Sequence, residues 1–435
     1  MAERAIRVGL VGLGTIGTGV VRLLQENGAL IRERLGVPLE LVSVADIDLE
    51  RDRGVSLSGY RATTRWREIV DDPSIDLVVE LIGGTKVARE VVLSALGAGK
   101  GVVTANKALL AHHGDEVYAL ARSKGADIAF EASVGGTIPV LRALREGLAA
   151  DRIESVLGIV NGTCNFILTR MEATGSTYAQ ALHEAQELGY AEADPTFDVD
   201  GTDSAHKLAI LLGLAFGVHV KPGDFAVEGI SRISPLDIRY AKRMGFRIKL
   251  LAVGKRTDVG LEAHVHPTMI PERSVLAQVD GSMNAIEVRG RMSGPTLYYG
   301  AGAGALPTAS AVVSDLMELA RNRLVGAARR VPPLGTPELR TEGLRASGDL
   351  EGEFYLRLFA RDVPGVLAHI AGALGGRGIS IASVLQEEPE SADAVPIVIT
   401  THTARQLALE EALAEIESME QVSSPVQRIR IEREI

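Results

Sequence analysis

Over the first 130 residues, short apolar runs alternate with stretches of helical repeat. The runs at 6–11, 39–47, 77–81, 101–104 and 127–131 are nearly continuous. Continuous apolar runs of that length predict strands buried on both faces. Between them, over 20–35 and 89–96 for example, apolar residues recur at a spacing that lines one face of a helix. Strand and helix in alternation predict an α/β domain, a parallel sheet covered by helices on both faces.

The order then changes. Helical patterns at 139–149, 179–188 and 204–216 precede strand-like runs at 247–254, 261–266, 274–279 and 285–288. Helices followed by sequential strands predict an α+β domain over 136–305. The pattern at 306–325 reads as one more helix, returning to the first domain, which therefore comprises 1–135 plus 306–330. Residues 331–349 read as a linker, stiffened by Pro332, Pro333 and Pro337. The segment 350–435 repeats neither pattern. It runs strand (354–360), helix (365–374), strand (380–386), strand (395–401), helix (405–419), strand (426–432), the βαββαβ order of a ferredoxin-like unit.

Composition narrows the function. The formal net charge is −10 and no basic block occurs, so nucleic acid is not an expected partner. Cys164 is the single cysteine, which fits a reducing compartment and excludes an internal disulfide. The start of the chain lacks the pattern of a signal peptide, and the longest apolar run, 208–218, is too short to cross a bilayer. A cytoplasmic protein with no membrane partner is the expectation. Glycine is unusually frequent, 47 of 435 residues, so many turns and close backbone approaches are expected.

Gly12, Gly14 and Gly17, with Leu13, Thr15 and Ile16 between them, follow the first predicted strand and open a helix. The first glycine permits a tight turn, the second admits a pyrophosphate and the third lets helix and strand pack. The helix N-terminus then favours the phosphates. This is the context of a Rossmann-type dinucleotide site. Asp46, at the end of the second strand, would hold an adenine-ribose hydroxyl and repel a 2′-phosphate, so NAD is favoured over NADP. Arg51 and Arg53 follow shortly after. Thr104 and Lys107 lie at the carboxyl end of a predicted parallel strand, where ligands of open α/β sheets bind.

Between 184 and 203 stand seven acids, Glu184, Glu187, Glu192, Asp194, Asp198, Asp200 and Asp203, and no Lys or Arg. Such a segment can be a solvated loop, a metal loop or the seat of a substrate ammonium group. Calcium fits poorly, since the ligand spacing and the closing glutamate are missing. Asp203 and Lys207 are one helical turn apart, so they share a face. A lysine so placed could pass a proton to a carbonyl oxygen as hydride arrives.

These motifs together resemble homoserine dehydrogenase, over about residues 5–325. The resemblance rests on the glycine turn, on Thr104 to Lys107, on Glu131 to Pro139, on Asn161 to Asn165, on Gly189 to Lys207 and on Gly300 to Gly304. The tail resembles an ACT regulatory domain through Asp362 to Leu367 and Gly378 to Ile381. The resemblance implies reversible, NAD(P)-dependent interconversion of L-homoserine and L-aspartate 4-semialdehyde, in threonine, methionine and isoleucine biosynthesis. It implies that Lys207 and Lys107 are catalytic. Substrate would be bound by Glu192, Asp198, Asp203, Lys207, Gly162, Thr163 and Tyr190. Cofactor would be bound by Gly12, Gly14, Thr15, Ile16, Gly17, Asp46, Thr104, Lys107 and Gly302. A monovalent cation, Na+ or K+, would lie at Glu131 and the backbone of Val134, Gly136 and Ile138. Ile47 stands where NADP-preferring relatives often carry a basic residue, which again favours NAD. Free lysine has a pKa near ~10.4, so base catalysis by Lys207 implies an alkaline optimum for homoserine oxidation. The family further implies a homo-oligomer, dimer or tetramer, whose ACT domain binds an amino-acid effector such as threonine, its carboxylate facing the helix that follows Pro364 and Gly365.

Two other readings compete. Cys164 could form a thiohemiacetal in a semialdehyde dehydrogenase, although no histidine lies near it in sequence. Alternatively, the chain could be a non-catalytic amino-acid sensor on a dinucleotide fold. His264 and His266 share one strand face but lack a third zinc ligand, and His112 and His113 are expected at a solvated helix start.

Overall fold

A computed structural model describes residues 5–340, 343–386, 394–423 and 425–435. The chain divides into two compact units. One comprises Met1–Val156, His206–Pro222 and Met283–Glu342; the other comprises Leu157–Ala205, Gly223–Ser282 and Gly343–Ile435.

The first unit carries a six-stranded sheet. Its strands are β1 (Ile6–Val11), β2 (Leu39–Ala45), β3 (Arg61–Thr63), β4 (Leu77–Glu80), β5 (Gly101–Thr104) and β6 (Ile128–Ala129), in the order β3-β2-β1-β4-β5-β6. Every pairing is parallel. The strand order reverses beside β1, between β2 and β4, the point where open α/β sheets bind ligands. Helices α1 (Thr15–Leu35), α3 (Lys86–Gly97) and α4 (Lys107–Lys124) connect the strands, with the short α2 (Arg67–Val70) between β3 and β4. The helix Ala305–Leu324 adds Ala309, Val312, Val313 and Leu316 to the core built by Val8, Leu10, Val20, Val21 and Val44. An antiparallel hairpin, Met283–Gly290 with Gly294–Ala301, belongs to the same unit.

Most expected strands are present, with corrected ends. β2 stops at Ala45 because Asp46 turns to bond the Leu13 N–H. The run expected at 127–131 is a strand only at Ile128–Ala129, and Glu131–Ser133 is a 3-10 turn. His112 and His113 lie within α4, not at its start.

In the second unit, the long strands Phe246–Thr257 and Gly260–Pro271 pair antiparallel. The strand Gln427–Ile431 pairs parallel with the second of these, at Thr268 and Met269. It pairs in turn with Glu351–Ala360, then Val395–Thr401, then Ile381–Gln386, all antiparallel. Helices Val366–Gly375 and Gln406–Glu417 pack on these last four strands around Phe354, Leu356, Ile370, Ile397 and Ile416. The βαββαβ unit is therefore as expected, and its sheet runs on without a break into the two long strands. Residues 274–279 do not form the strand their composition suggests. Leu276–Gln278 is a 3-10 turn, and carbonyls in it and just after it serve other side chains. Arg247 donates to the Ala277 oxygen (2.6 Å) and Lys249 to that of Val279 (2.6 Å).

Candidate functional site

The first group of candidates surrounds the turn after β1. Gly12 has φ +104°, and a Cβ there would lie 2.6 Å from the Leu81 carbonyl. At Gly17 a Cβ would lie 2.0 Å from the Gly12 oxygen. The fold itself demands both glycines. Gly14 differs: a Cβ on it would meet nothing within 4 Å. Gly14 is also the N-cap of α1, it offers no side-chain cap, and the first turn holds no acid. Thr15 is exposed and Ile16 half-buried. A 21-residue helix thus presents unsatisfied N–H groups and its positive pole to an open surface. Those features fit the pyrophosphate of a dinucleotide.

Asp46 is placed beside this turn, and it is already engaged. Its carboxylate accepts the Leu13 N–H (2.6 Å) and that of Asp48 (2.9 Å), and pairs with Arg53 (3.1 Å). Arg53 also donates to the Leu13 oxygen (2.7 Å). A cavity of about 340 Å3 opens here, lined by Gly14, Thr15, Thr18, Arg22, Arg51 and Arg53 among others.

At the carboxyl end of β4 and β5 lies a network that sequence reading missed. Glu80 is fully buried, and burial holds its carboxyl above the usual carboxylate range. Thr104 Oγ1 donates to it (2.6 Å), as does the Ile82 N–H (2.8 Å). Asn106 accepts the Leu109 N–H (3.0 Å), capping α4, and donates to the Gly84 oxygen (2.7 Å). Lys107, the first residue of that helix and half-buried, is fixed at its backbone by this network. The signal was an acid ending an otherwise apolar strand.

Lys207 is buried, 8% exposed, on the helix Thr202–Phe216, one turn after Asp203. His206, its neighbour, meets His112 of α4, so the helices bearing Lys107 and Lys207 touch.

The expected cation cradle lies in the same unit. The Glu131 carboxylate is committed, accepting the N–H groups of Leu141 and Arg142 (2.8 Å each). Its own N–H donates to Asp315, whose burial and proximity to Glu131 push its carboxyl up to about 7. Arg142 joins Asp315 to Glu318. Val134 and Ile138 are buried, and Gly136, with φ +58°, lies against the Gly302 carbonyl. On Gly302 a Cβ would strike the Asn284 amide at 2.1 Å. Asn284 is 1% exposed, and neither its oxygen nor its nitrogen has a partner among the described residues. No cluster of three or more His, Cys, Asp or Glu suited to a metal occurs among the described residues. Beside the backbone carbonyls, the unpartnered amide oxygen of Asn284 is the side-chain oxygen left open in this region among the described residues.

The second unit gathers the acidic segment around Asn161. Its Nδ2 donates to Asp198 and to Asp203, both at 2.8 Å, and its Oδ1 caps the helix Gly162–Thr174 through Cys164 N–H (2.8 Å). One amide thus ties two carboxylates five residues apart to a helix start that also bears Gly162 and Thr163. Thr163 donates to the Tyr190 carbonyl (2.7 Å). Tyr190 is 45% exposed and packs on Phe166 (ring centroids 4.8 Å). Glu192 is exposed, with its carbonyl accepting from Gln186. Cys164 is fully buried and its thiol donates to the Asp198 carbonyl (3.3 Å), the environment of a small apolar residue rather than a nucleophile.

Comparison with known proteins decides the family. The model of the homoserine dehydrogenase NAD-binding domain matches residues 12–131, that of homoserine dehydrogenase matches 139–317, and that of the ACT domain matches 354–421. The homoserine dehydrogenase of Pseudomonas aeruginosa is 48% identical over 99% of both chains. The chain belongs to the homoserine dehydrogenase family. A solved homoserine dehydrogenase from Thiobacillus denitrificans is 46% identical, covers 99% of both chains and superposes with a TM-score of 0.94. A hyperthermophilic archaeal homoserine dehydrogenase solved with NADPH is 26% identical, covers 78% of this chain and all of its own, and has a TM-score of 0.62. As a member of the family, the chain is a nicotinamide-dependent oxidoreductase, with an ACT domain that is consistent with regulation by an amino acid. No described helix is long and apolar enough to cross a membrane.

Proposed function

We propose that the chain interconverts L-homoserine and L-aspartate 4-semialdehyde, with Lys207 exchanging the proton on the substrate oxygen. A bound NAD(P) supplies the hydride acceptor or donor. Lys107 stands beside the reacting carbon and assists that proton transfer. Glu192, Asp198 and Asp203 hold the substrate ammonium group, with Gly162, Thr163 and Tyr190 shaping the pocket. The Asn161 clamp is the observation that carries this reading. Holding Asp198 and Asp203 together concentrates negative charge where an ammonium group would be bound. It also fixes the first turn of the helix that bears Lys207. Burial of Cys164 tells against the thiohemiacetal route.

The residues around Gly14 fit a dinucleotide. Asp46 favours NAD. Its pairing with Arg53, and the presence of Arg22 and Arg51 on the same cavity, favour acceptance of a 2′-phosphate as well. A Na+ or K+ would lie at Glu131 and the backbone oxygens of Val134, Gly136 and Ile138. The effector would be threonine, at the turn Asp362 to Gly365, and the enzyme a cytoplasmic dimer or tetramer. The buried Lys207 and the acid set tell against a non-catalytic sensor.

Steady-state oxidation of homoserine with NAD+ and with NADP+, with and without threonine, tests the activity, the cofactor and the effector together. Lys207→Ala is expected to abolish turnover and leave cofactor affinity unchanged. Parental turnover in that variant would remove Lys207 from the mechanism. Sedimentation of the purified enzyme gives the oligomeric state.

A further inference from the structure

Within the second unit a cavity of about 310 Å3 opens where the strand 260–271 meets the strands 351–360 and 427–431. Arg430 lines it and is 9% exposed. Its guanidinium lies over the Phe354 ring (5.1 Å) and donates to the Gln406 side chain. Gly352 lies so close that a Cβ there would be 3.0 Å from Nη1. A buried guanidinium normally finds a carboxylate. Here each candidate is taken. Glu262 pairs with Arg345, Glu432 with Lys255 (2.6 Å), Glu228 with Arg428 (3.5 Å) and Glu353 with Arg433 (2.6 Å). Among the described residues no carboxylate pairs with Arg430.

Two further features point to a ligand. His264 lines the same cavity, is 6% exposed, and its Nδ1 has no hydrogen-bond partner among the described residues. Glu351 and Glu434, also on the cavity, are exposed and carry no ion pair among the described residues. Among the described residues the cavity therefore offers one buried guanidinium that makes no direct ion pair and two exposed carboxylates that make none. A simple anion would meet the glutamates, and a simple cation would meet the guanidinium.

We propose that this cavity binds a small α-amino acid, its carboxylate on Arg430 and His264 and its ammonium group on Glu351 and Glu434. The site is separate from the turn Asp362 to Gly365. It spans a strand of the ferredoxin-like unit and a strand of the substrate domain, so its occupant contacts both.

The full-length enzyme is titrated with each common L-amino acid, omitting homoserine and threonine so that neither the substrate pocket nor the turn Asp362 to Gly365 contributes, by thermal shift and then by calorimetry. At least one is expected to raise the melting temperature by a few degrees. Arg430→Met should abolish that shift while homoserine turnover persists, which separates this site from the substrate pocket. Paired substitution, Glu351→Gln with Glu434→Gln, should weaken binding about tenfold, as should N-acetylation of the amino acid. If Arg430→Met does not fold, the exposed pair decides. Failure of every amino acid to bind the parent would overturn the proposal. So would binding that survives in Arg430→Met, equal binding of the N-acetyl form, or loss on Asp362→Asn alone.

Discussion

His112 Nε2 and His206 Nε2 lie 3.1 Å apart, their rings edge to face at 83°. One imidazole must donate and the other accept. The bond joins α4, which begins at Lys107, to the helix in which Lys207 follows His206. His112 is exposed, so its loss costs little packing. His112→Leu is expected to lower kcat about tenfold, or ~1.4 kcal/mol of barrier, with the melting temperature nearly unchanged. His112→Gln, which can still donate and accept, should stay near the parent. Equal kcat in both variants would remove the histidine bond from any positioning role.

Gly14 and Gly17 belong to one turn and should respond oppositely. Alanine at 17 would drive its methyl into the Gly12 oxygen, a clash costing about 1–3 kcal/mol. At 14 the backbone, φ −67°, suits alanine and nothing of the protein lies near. Gly14→Ala should melt no lower than the parent yet lose cofactor affinity, read by NADPH fluorescence titration. Gly17→Ala should melt lower.

A buried ion pair joins the ferredoxin-like unit to the helix Pro235–Arg243. Arg357 makes two bonds to Asp237 (2.6 and 3.1 Å), and Tyr355 adds a third (3.1 Å). Asp237 is fully buried and also closes the capping box of the helix Pro235–Arg243. Arg357→Ala would leave that carboxylate unpaired, so a loss of about 3–5 kcal/mol is expected in urea unfolding.

Two buried groups set opposite pH slopes. Burial pushes Lys249 down to about 8, so between 8 and the unfolded value of 10.5 the unfolded chain binds more protons. Stability should rise with pH across that window, at up to about 1.4 kcal/mol per unit. Asp315, raised to about 7 from 3.8, binds more protons when folded, so stability should fall as pH rises between those values. Lys249→Met should flatten the alkaline slope and Asp315→Asn the acid one, both followed by chemical denaturation across pH.

β1 and β5 could be read from sequence because each is a short, unbroken apolar run with both faces covered. The same rule misread 274–279, where the apolar side chains are buried but the backbone turns to supply carbonyls to Arg247 and Lys249. The strand Ile153–Ile159 and the helix Gly162–Thr174 were not anticipated. The glycine turn, the two lysines and the acids were visible as motifs, since their spacing along the chain is short. Glu80, Asn161 and Asn284 were not assigned roles, because each matters only through residues distant in sequence: Glu80 and Asn161 through bonds to Thr104 and to Asp198 and Asp203, Asn284 through its close approach to Gly302. Asp46 was found, but the bond to Arg53 that alters its meaning lies in the fold.

The parallel pairing of 427–431 with 260–271 also constrains synthesis. A ribosome completes the strand 260–271 long before it reaches residue 427. Until then the stretch around Thr268 and Met269 presents bare backbone donors and acceptors, a template for another nascent chain. Fragments that stop ahead of the ferredoxin-like unit, made to obtain an unregulated enzyme, would keep that edge permanently open. Such fragments are expected to self-associate more readily than the full chain, which sedimentation of the two side by side would show.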